Sequence, residues 1–409
     1  MGLLLAPPAL SGEFYPDSLW HRVERLPVPP VRPRPHPCGL RAAFTDSVTE
    51  LTANANIIGV SLSGGLDSLA TLIHACKVAD GRQVIAFNVN LTDDQGVQCA
   101  PFVAWLLKDL GLTEVRLEVI DPDEERAEPA WSPLGPRLDA LPEVNAAVSR
   151  RAAQLGVDIL LSGDGADELL GVPRYATAEI ARRFGPRAAA RYAEDVAHSG
   201  LGLAGEAAAA TARLLPATSR ARAYWAANWP DWCDPRATAV LADPYRDRAT
   251  RWSQAWVAQR IEDHATQGRS WAQADAHDAF WPHELIGAAG EVPEASPFLT
   301  DTFLAAAFSV PLAERYGQHL PTGYWRCKAL VLSLLPQDAW LVLPRQKQYF
   351  RTALARYAAA KASSAPLLSE LGLINPDQLR KEEDTAVRLI VPAIERWLTG
   401  ALAQGAEII

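Results

Sequence analysis

The chain has 409 residues, of which 49% are hydrophobic and 21% charged, and its formal net charge is -9. That length allows one large domain or two with a substantial core, and the balance is that of an ordinary globular protein. The acidic excess excludes a broad electrostatic footprint for nucleic acid, and no apolar run is long enough to cross a membrane.

The opening "MGLLLAPPAL" lacks a positive n-region and runs into two prolines, which makes a poor signal peptide, and Ala6 stands where a myristoylation signal wants Ser or Thr. Five cysteines, Cys38, Cys76, Cys99, Cys233 and Cys327, are scattered and never at CxxC spacing. They predict free thiols in a reducing, cytoplasmic setting. Residues 1–39 are proline-heavy, ending in "LPVPPVRPRPHP", and predict an extended segment draped on a neighbour or left mobile.

From residue 40 the pattern alternates between helix and strand. A helix over 39–53 precedes a buried strand over 57–62 ("IIGVSL"), a helix over 66–79, a strand over 83–91 and a helix over 97–112. A third strand over 114–120, a helix over 141–156 and a fourth strand over 157–162 follow. Such alternation predicts βαβ units, a parallel twisted sheet with flanking helices, and ligand chemistry at the carboxyl ends of the strands. The nucleotide-binding α/β core is placed at 40–175. The remainder, 176–409, reads as a mainly helical substrate region. It is tryptophan-rich between Trp225 and Trp281, and tryptophans at helical spacing serve either as core or as the lining of a substrate cleft.

Two glycine-rich stretches fall at strand ends. The first, "SGGLDS" (residues 63–68), combines glycines that let backbone approach an anion, two hydroxyl donors, and the open N–H groups of a following helix. It holds no lysine, and no Gly-Lys occurs in the chain, so it is not a Walker A loop. A literal GxGxxG at Gly200, Gly202 and Gly205 follows a helical stretch rather than a strand and is set aside. A GxSxG elbow is nearly spelled by Gly59, Ser61 and Ser63 but lacks its last glycine. His283-Glu284 has no second histidine to form HExxH.

The second stretch, "LLSGDGADELLG" (160–171), packs Asp164, Asp167 and Glu168 into five residues. Glu168 is read as a solvated helix-capping carboxylate. If both turns lie at one edge of a parallel sheet, Asp67 and Asp167 face each other, and a phosphate is tolerated there only with a hard cation between them. Mg²⁺, commonly held by one or two carboxylates plus phosphate oxygens, fits that requirement.

Residues 63–68 resemble the pyrophosphate-loop signature SGGxDS of the adenine-nucleotide α-hydrolase-like enzymes, which implies a Rossmann-like fold. Together with residues 162–168 they resemble the synthetase domain of the asparagine synthetase B family, whose relatives include β-lactam synthetases and lasso-peptide cyclases. "SPFLTD" (296–301) is similar to that domain's PFLD element with an extra threonine, and "LLPQDAWLVLPRQKQYF" (334–350) to its LP…RxKxxF element with a longer spacer.

The resemblance implies that a carboxylate attacks the α-phosphate of ATP, Mg²⁺-pyrophosphate leaves, and an amine displaces AMP to give an amide. Carried over by position, it implies that Ser63, Gly64, Gly65 and Ser68 hold pyrophosphate, Asp67 and Asp167 hold Mg²⁺, and Lys347 faces the leaving group. Ser61, Val89 and Gly163 would border the adenine. Asp164 stands where asparagine synthetases carry glutamate, and catalytic and structural roles for it stay open. Tyr324, Arg326 and Lys328 either shape the substrate pocket or only pack.

Relatives begin with a glutaminase domain whose cysteine follows Met1. Gly2 follows here, so the expected nitrogen source is ammonia, a separate amine-supplying or precursor-peptide-binding protein, or an amine on a small-molecule or peptide carboxylate substrate. The expected role is natural-product or peptide modification, such as macrolactam formation or carboxyl amidation in antibiotic biosynthesis. Asparagine supply from ammonia, another pyrophosphate-loop chemistry such as tRNA modification, and a non-catalytic nucleotide- or peptide-binding partner are the alternatives.

Overall fold

The apolar run at 57–61 becomes β1 (Ile57–Ser61), whose three middle residues are buried, as an interior strand of a parallel sheet requires. β2 (Gln83–Val89) and β3 (Arg116–Ile120) lie on one side of it, and β4 (Ile159–Leu161) and β5 (Glu294–Ala295) on the other. The order is β3-β2-β1-β4-β5 and every neighbouring pair is parallel. This computed structural model describes residues 32–131, 141–197, 202–229, 239–243, 245–280, 290–361 and 364–406.

Helices Leu66–Val78, Cys99–Asp109 and Pro142–Gln154 make the crossovers from β1 to β2, β2 to β3 and β3 to β4. Strand and helix bounds fall within about two residues of those expected at most ends, because each strand is an apolar run closed by a turn residue. The chain moves outward from β1 to β3 and then jumps back, so β4 pairs with the opposite edge of β1. That reversal makes the β1/β4 crevice the topological switch point, where open α/β sheets place their ligands. Both glycine turns open onto it.

β5 lies beyond the four strands predicted. Two residues carry no alternation to read, and their strand character comes from pairing with Leu160 and Leu161. Inside the span read as mainly helical, the chain thus returns to the sheet. Phe298 and Phe303, both fully buried, pack against Phe44 of the Leu40–Leu51 helix, tilted and edge-on, with ring centroids 4.5 and 5.0 Å away. The threonine that interrupts "SPFLTD" also has a structural role here. Thr300 caps the Asp301–Phe308 helix by accepting from the Phe303 N–H, and it bonds Ser47 at 2.6 Å.

The alanine- and tryptophan-rich stretch forms a second, helical core in which Tyr175, Tyr192, Tyr224, Trp225 and Trp271 are buried against one another. Trp225 and Trp271 are therefore packing residues. Trp232, Trp281 and the pair His283-Glu284 lie outside the described residues. Gly202 and Gly205 belong to the Gly202–Ala212 helix, and among the described residues the element before it is the Pro186–Val196 helix; Gly200 lies outside the described residues. Of the proline-rich segment, residues 32–39 are described, and Arg34 donates its N–H to Ala305 O at 2.8 Å. Among the described residues no helix is long and apolar enough to cross a membrane.

Because the 297–343 segment shares the sheet's core, Phe303→Ala should lower the urea midpoint of the whole unfolding transition, by about 3–5 kcal/mol in stability. Circular dichroism and tryptophan fluorescence should report the same shifted transition. A separate early phase with the main midpoint unmoved would contradict the shared core.

Candidate functional site

Strand β1 ends at Ser61 and the turn Leu62 to Gly65 launches the Leu66–Val78 helix. Gly64 has φ +84°, in the left-handed region that favours glycine. Gly65 is the N-cap and offers no side-chain acceptor, so the helix presents open N–H groups. The two serines of the motif hold each other: Ser63 Oγ and Ser68 Oγ are 3.1 Å apart, the Ser63 N–H donates to Ser68 Oγ at 3.2 Å, and the Gly65 N–H donates to Ser63 Oγ at 3.3 Å.

The second turn packs directly on the first. A Cβ on Gly163 would lie 2.8 Å from Ser68 N and 3.2 Å from Asp67 Cβ, so only glycine lets the backbones meet. Thr71 Oγ1 donates to Ser162 O at 3.2 Å and ties the same two elements. This contact is what brings Asp67 and Asp167 together.

Between the turns lies a cavity of about 490 Å³. Ser61, Ser63, Asp67, Ser68, Val89, Gly163, Asp164 and Asp167 line it, with Phe87, Leu160 and Phe350 as apolar wall. Gly64 and Gly65 do not line it; they shape the turn and the helix start. Lys347 does not line it either, and reaches the site through Asp167, with Nζ 3.2 Å from Asp167 Oδ2.

The residue under-read in the sequence is Lys328. Its ammonium donates to both oxygens of Asp67 at 2.8 Å and also forms an ion pair with Asp167 Oδ1. At about 5 Å, two carboxylates repel by roughly 3 kcal/mol at an effective dielectric of 20. The open helix N-terminus relieves a carboxylate by only about 0.3–1 kcal/mol. The lysine is therefore the element that makes two adjacent aspartates tolerable.

Burial would strip the proton from Lys328, but the two aspartates hold its pKa above the usual lysine range. Burial also favours the neutral form of both acids. At Asp167 the two lysines overcome it and the pKa falls below the ordinary value, whereas the more deeply buried Asp67, repelled by Asp167, stays raised.

The sequence carried a signal for Lys328. Trp325, Val331, Leu332 and Leu335 are all buried, and a lysine spaced three, four or seven residues from them sits on a core-facing side, where it must find an acid. Its neighbours differ. Arg326 forks onto Asp195 through two 2.6 Å bonds and is a packing residue. Burial and the nearby Asp67 push Tyr324 far above the usual phenol range. Asp164 is exposed; Ser162 Oγ donates to its Oδ2 at 2.9 Å and Ser296 Oγ to its carbonyl at 2.7 Å, so "SPFLTD" fixes its backbone.

A parallel α/β sheet with two glycine turns, paired acids and paired lysines at its switch point defines an enzyme of the nucleotide-handling class. The asparagine synthase family matches residues 39–395, and the chain belongs to that family. It is accordingly an ATP-dependent carbon–nitrogen ligase whose family acts by adenylation and amide formation and uses ATP and Mg²⁺. No curated protein matches the chain. Asp67 and Asp167 fit the metal: they are hard oxygen donors, in the number Mg²⁺ usually takes from protein, and already share one cation.

Replacing Lys328 by Met removes the only buried counter-ion among the described residues and should cost about 3 kcal/mol at neutral pH, the low end for a broken buried pair because Asp167 is half exposed. Both carboxyl pKa values would then lie above their unfolded values, so the folded state would bind protons more readily than the unfolded chain. Stability should therefore rise as pH falls from neutrality towards the ordinary aspartate range near 4. Melting curves of K328M across that range test this, and a loss independent of pH would contradict the pairing. Gly163→Ala should part the two turns and lower nucleotide affinity at least about tenfold through misplacement of the acids. Calorimetric titration with ATP measures it.

Proposed function

We propose that this ligase adenylates a carboxylate on a peptide or natural-product substrate and condenses it with ammonia or an amine, as in macrolactam formation or carboxyl amidation. The observation that carries the reading is the charge-balanced quartet of Asp67, Asp167, Lys328 and Lys347 at the mouth of an open helix N-terminus.

In this reading the ATP phosphates lie against the 63–68 turn, where Ser63 and Ser68 supply hydroxyl donors, Gly64 and Gly65 shape the turn and the helix start, and the open N–H groups of the helix cancel developing charge on the departing pyrophosphate. Ser61, Val89 and Gly163 border the adenine. Asp67 and Asp167 would hold Mg²⁺, which when bound would supply positive charge to neutralise the phosphates. The ammonium groups of Lys328 and Lys347, held at the acids, are placed where they could pair with phosphate. The lysine absent from the loop is thus supplied from the carboxyl-terminal half of the chain. Asp164, exposed beside the cavity, is positioned to accept a proton from the attacking amine.

The size of the adjoining space supports a substrate larger than aspartate. A second cavity of about 1130 Å³ shares Glu168 with the nucleotide-side cavity. That exceeds the range of roughly 300–1,000 Å³ typical of small-ligand sites. It draws Gln267, Arg269, Gln273 and His277 from the stretch that also carries the tryptophans, so that region contributes polar side chains to the space while Trp225 and Trp271 serve its core.

Pyrophosphate release on incubation with ATP, Mg²⁺ and a panel of peptide and small-molecule carboxylates tests the reaction. Asp67→Ala, Asp167→Ala and Lys347→Ala should each lower the rate by about a hundredfold or more. Unchanged rates in the two aspartate variants would contradict the metal assignment. ATP binding with no AMP formed from any carboxylate would favour a binding role instead.

A further inference from the structure

The wall of the 1130 Å³ cavity contains one buried cation that no acid answers among the described residues; Arg182, in the same wall, also lacks an acid but is exposed to solvent. Arg315 closes the short 3-10 helix Leu312–Arg315 and is only 4% exposed. Among the described residues its Nε has no hydrogen-bond partner, and its one hydrogen bond runs from Nη1 to Gly171 O at 3.4 Å, near the limit for such a contact. Among the described residues no carboxylate comes within ion-pair distance of it. Burial, unopposed by any acid, pushes its pKa down to about 10, so it still carries its charge at neutral pH.

The neighbouring groups in the same wall behave otherwise. Arg183 pairs with Glu314 at 3.0 Å, Arg269 with Asp263 at 2.6 Å, and Glu179 is taken up by Arg213. Buried guanidinium groups are almost always paired, because desolvating an unanswered charge costs several kcal/mol. A protein keeps such a group when a ligand supplies the missing anion, and a planar fork of five donors is suited to a carboxylate. Gly171, which accepts the long bond, ends the short helix bearing Asp167 and Glu168, and Glu168 borders both cavities. An anion on Arg315 would therefore belong to a molecule that extends towards the nucleotide side.

We infer that Arg315 is a substrate-recognition residue that holds a free carboxylate of the substrate in this cavity while a second carboxylate of the same molecule is presented for adenylation. The substrate class is then a peptide-sized acid with at least two carboxylates. The inference deepens the adenylation reading and rests on it for the second carboxylate.

The test is thermal unfolding of the full chain, without nucleotide, with alanyl-alanyl-glutamate, its fully amidated counterpart, and glutarate as probes. Wild type should be stabilised by the acidic tripeptide and by glutarate, and not by the amide. Arg315→Met should bind the acids about ten- to a hundredfold more weakly, with Arg315→Lys in between. Without probe, R315M should melt at or above the wild-type temperature, because it sheds an unpaired buried charge. Three results would overturn the inference: equal responses to acid and amide, an R315M response equal to wild type, or an R315M protein that fails to fold. A wild type that answers Mg²⁺-ATP but none of the acids would overturn it too. The melting shift given by Mg²⁺-ATP, read on the same samples, tests the adenylation reading separately, since losing that shift leaves the Arg315 response to stand or fall by itself.

Discussion

One ammonium group shared by two carboxylates organises this site. Asp67 and Asp167 come from turns 100 residues apart in sequence, and the reversal of strand order at β1 and β4 sets those turns side by side. Left alone, the two acids would repel each other and the fold would favour their protonated forms. Lys328, bonded to both, offsets that repulsion and holds them close.

The rest of the architecture serves that arrangement. Gly163 lets the second turn rest on the backbone of the first, and Ser296 fixes the Asp164 carbonyl from the segment that follows β5. The chain leaves the sheet after β4, builds the helical core, and returns as β5 before it delivers Lys328 and Lys347. The acids and the bases of the quartet are thus contributed by opposite halves of the sequence, and their pairing joins the two halves at the site. An arginine-lined cavity stands on the far side of Glu168, where the helical core meets the returning segment.

Much of this was legible in the sequence, for identifiable reasons. Buried parallel strands are continuous apolar runs, so β1 and β2 declared themselves, and glycine turns at strand ends marked both halves of the site. β5 was not legible, since two residues have no period and its pairing is decided by tertiary contact. Lys328 was only half legible. A lysine amid Trp325, Val331 and Leu332 announces a buried charge, but its acidic partners lie 261 and 161 positions away and only the fold reveals them. Arg315 has the same character: its significance is a missing partner, which no local pattern displays. The tryptophans left two roles open, because a cleft and a core ask for the same residues at the same spacing, and Trp225 and Trp271 are core.

The central claim is that Lys328 holds the place of the metal until nucleotide arrives. Calorimetric titration of Mg²⁺ into wild type and K328M, each without nucleotide, tests it most directly. The account predicts that K328M binds Mg²⁺ at least about tenfold more tightly than wild type, because two uncompensated carboxylates are left to bind it, and that the ion restores part of the variant's stability. Equal Mg²⁺ affinity in the two proteins would contradict it.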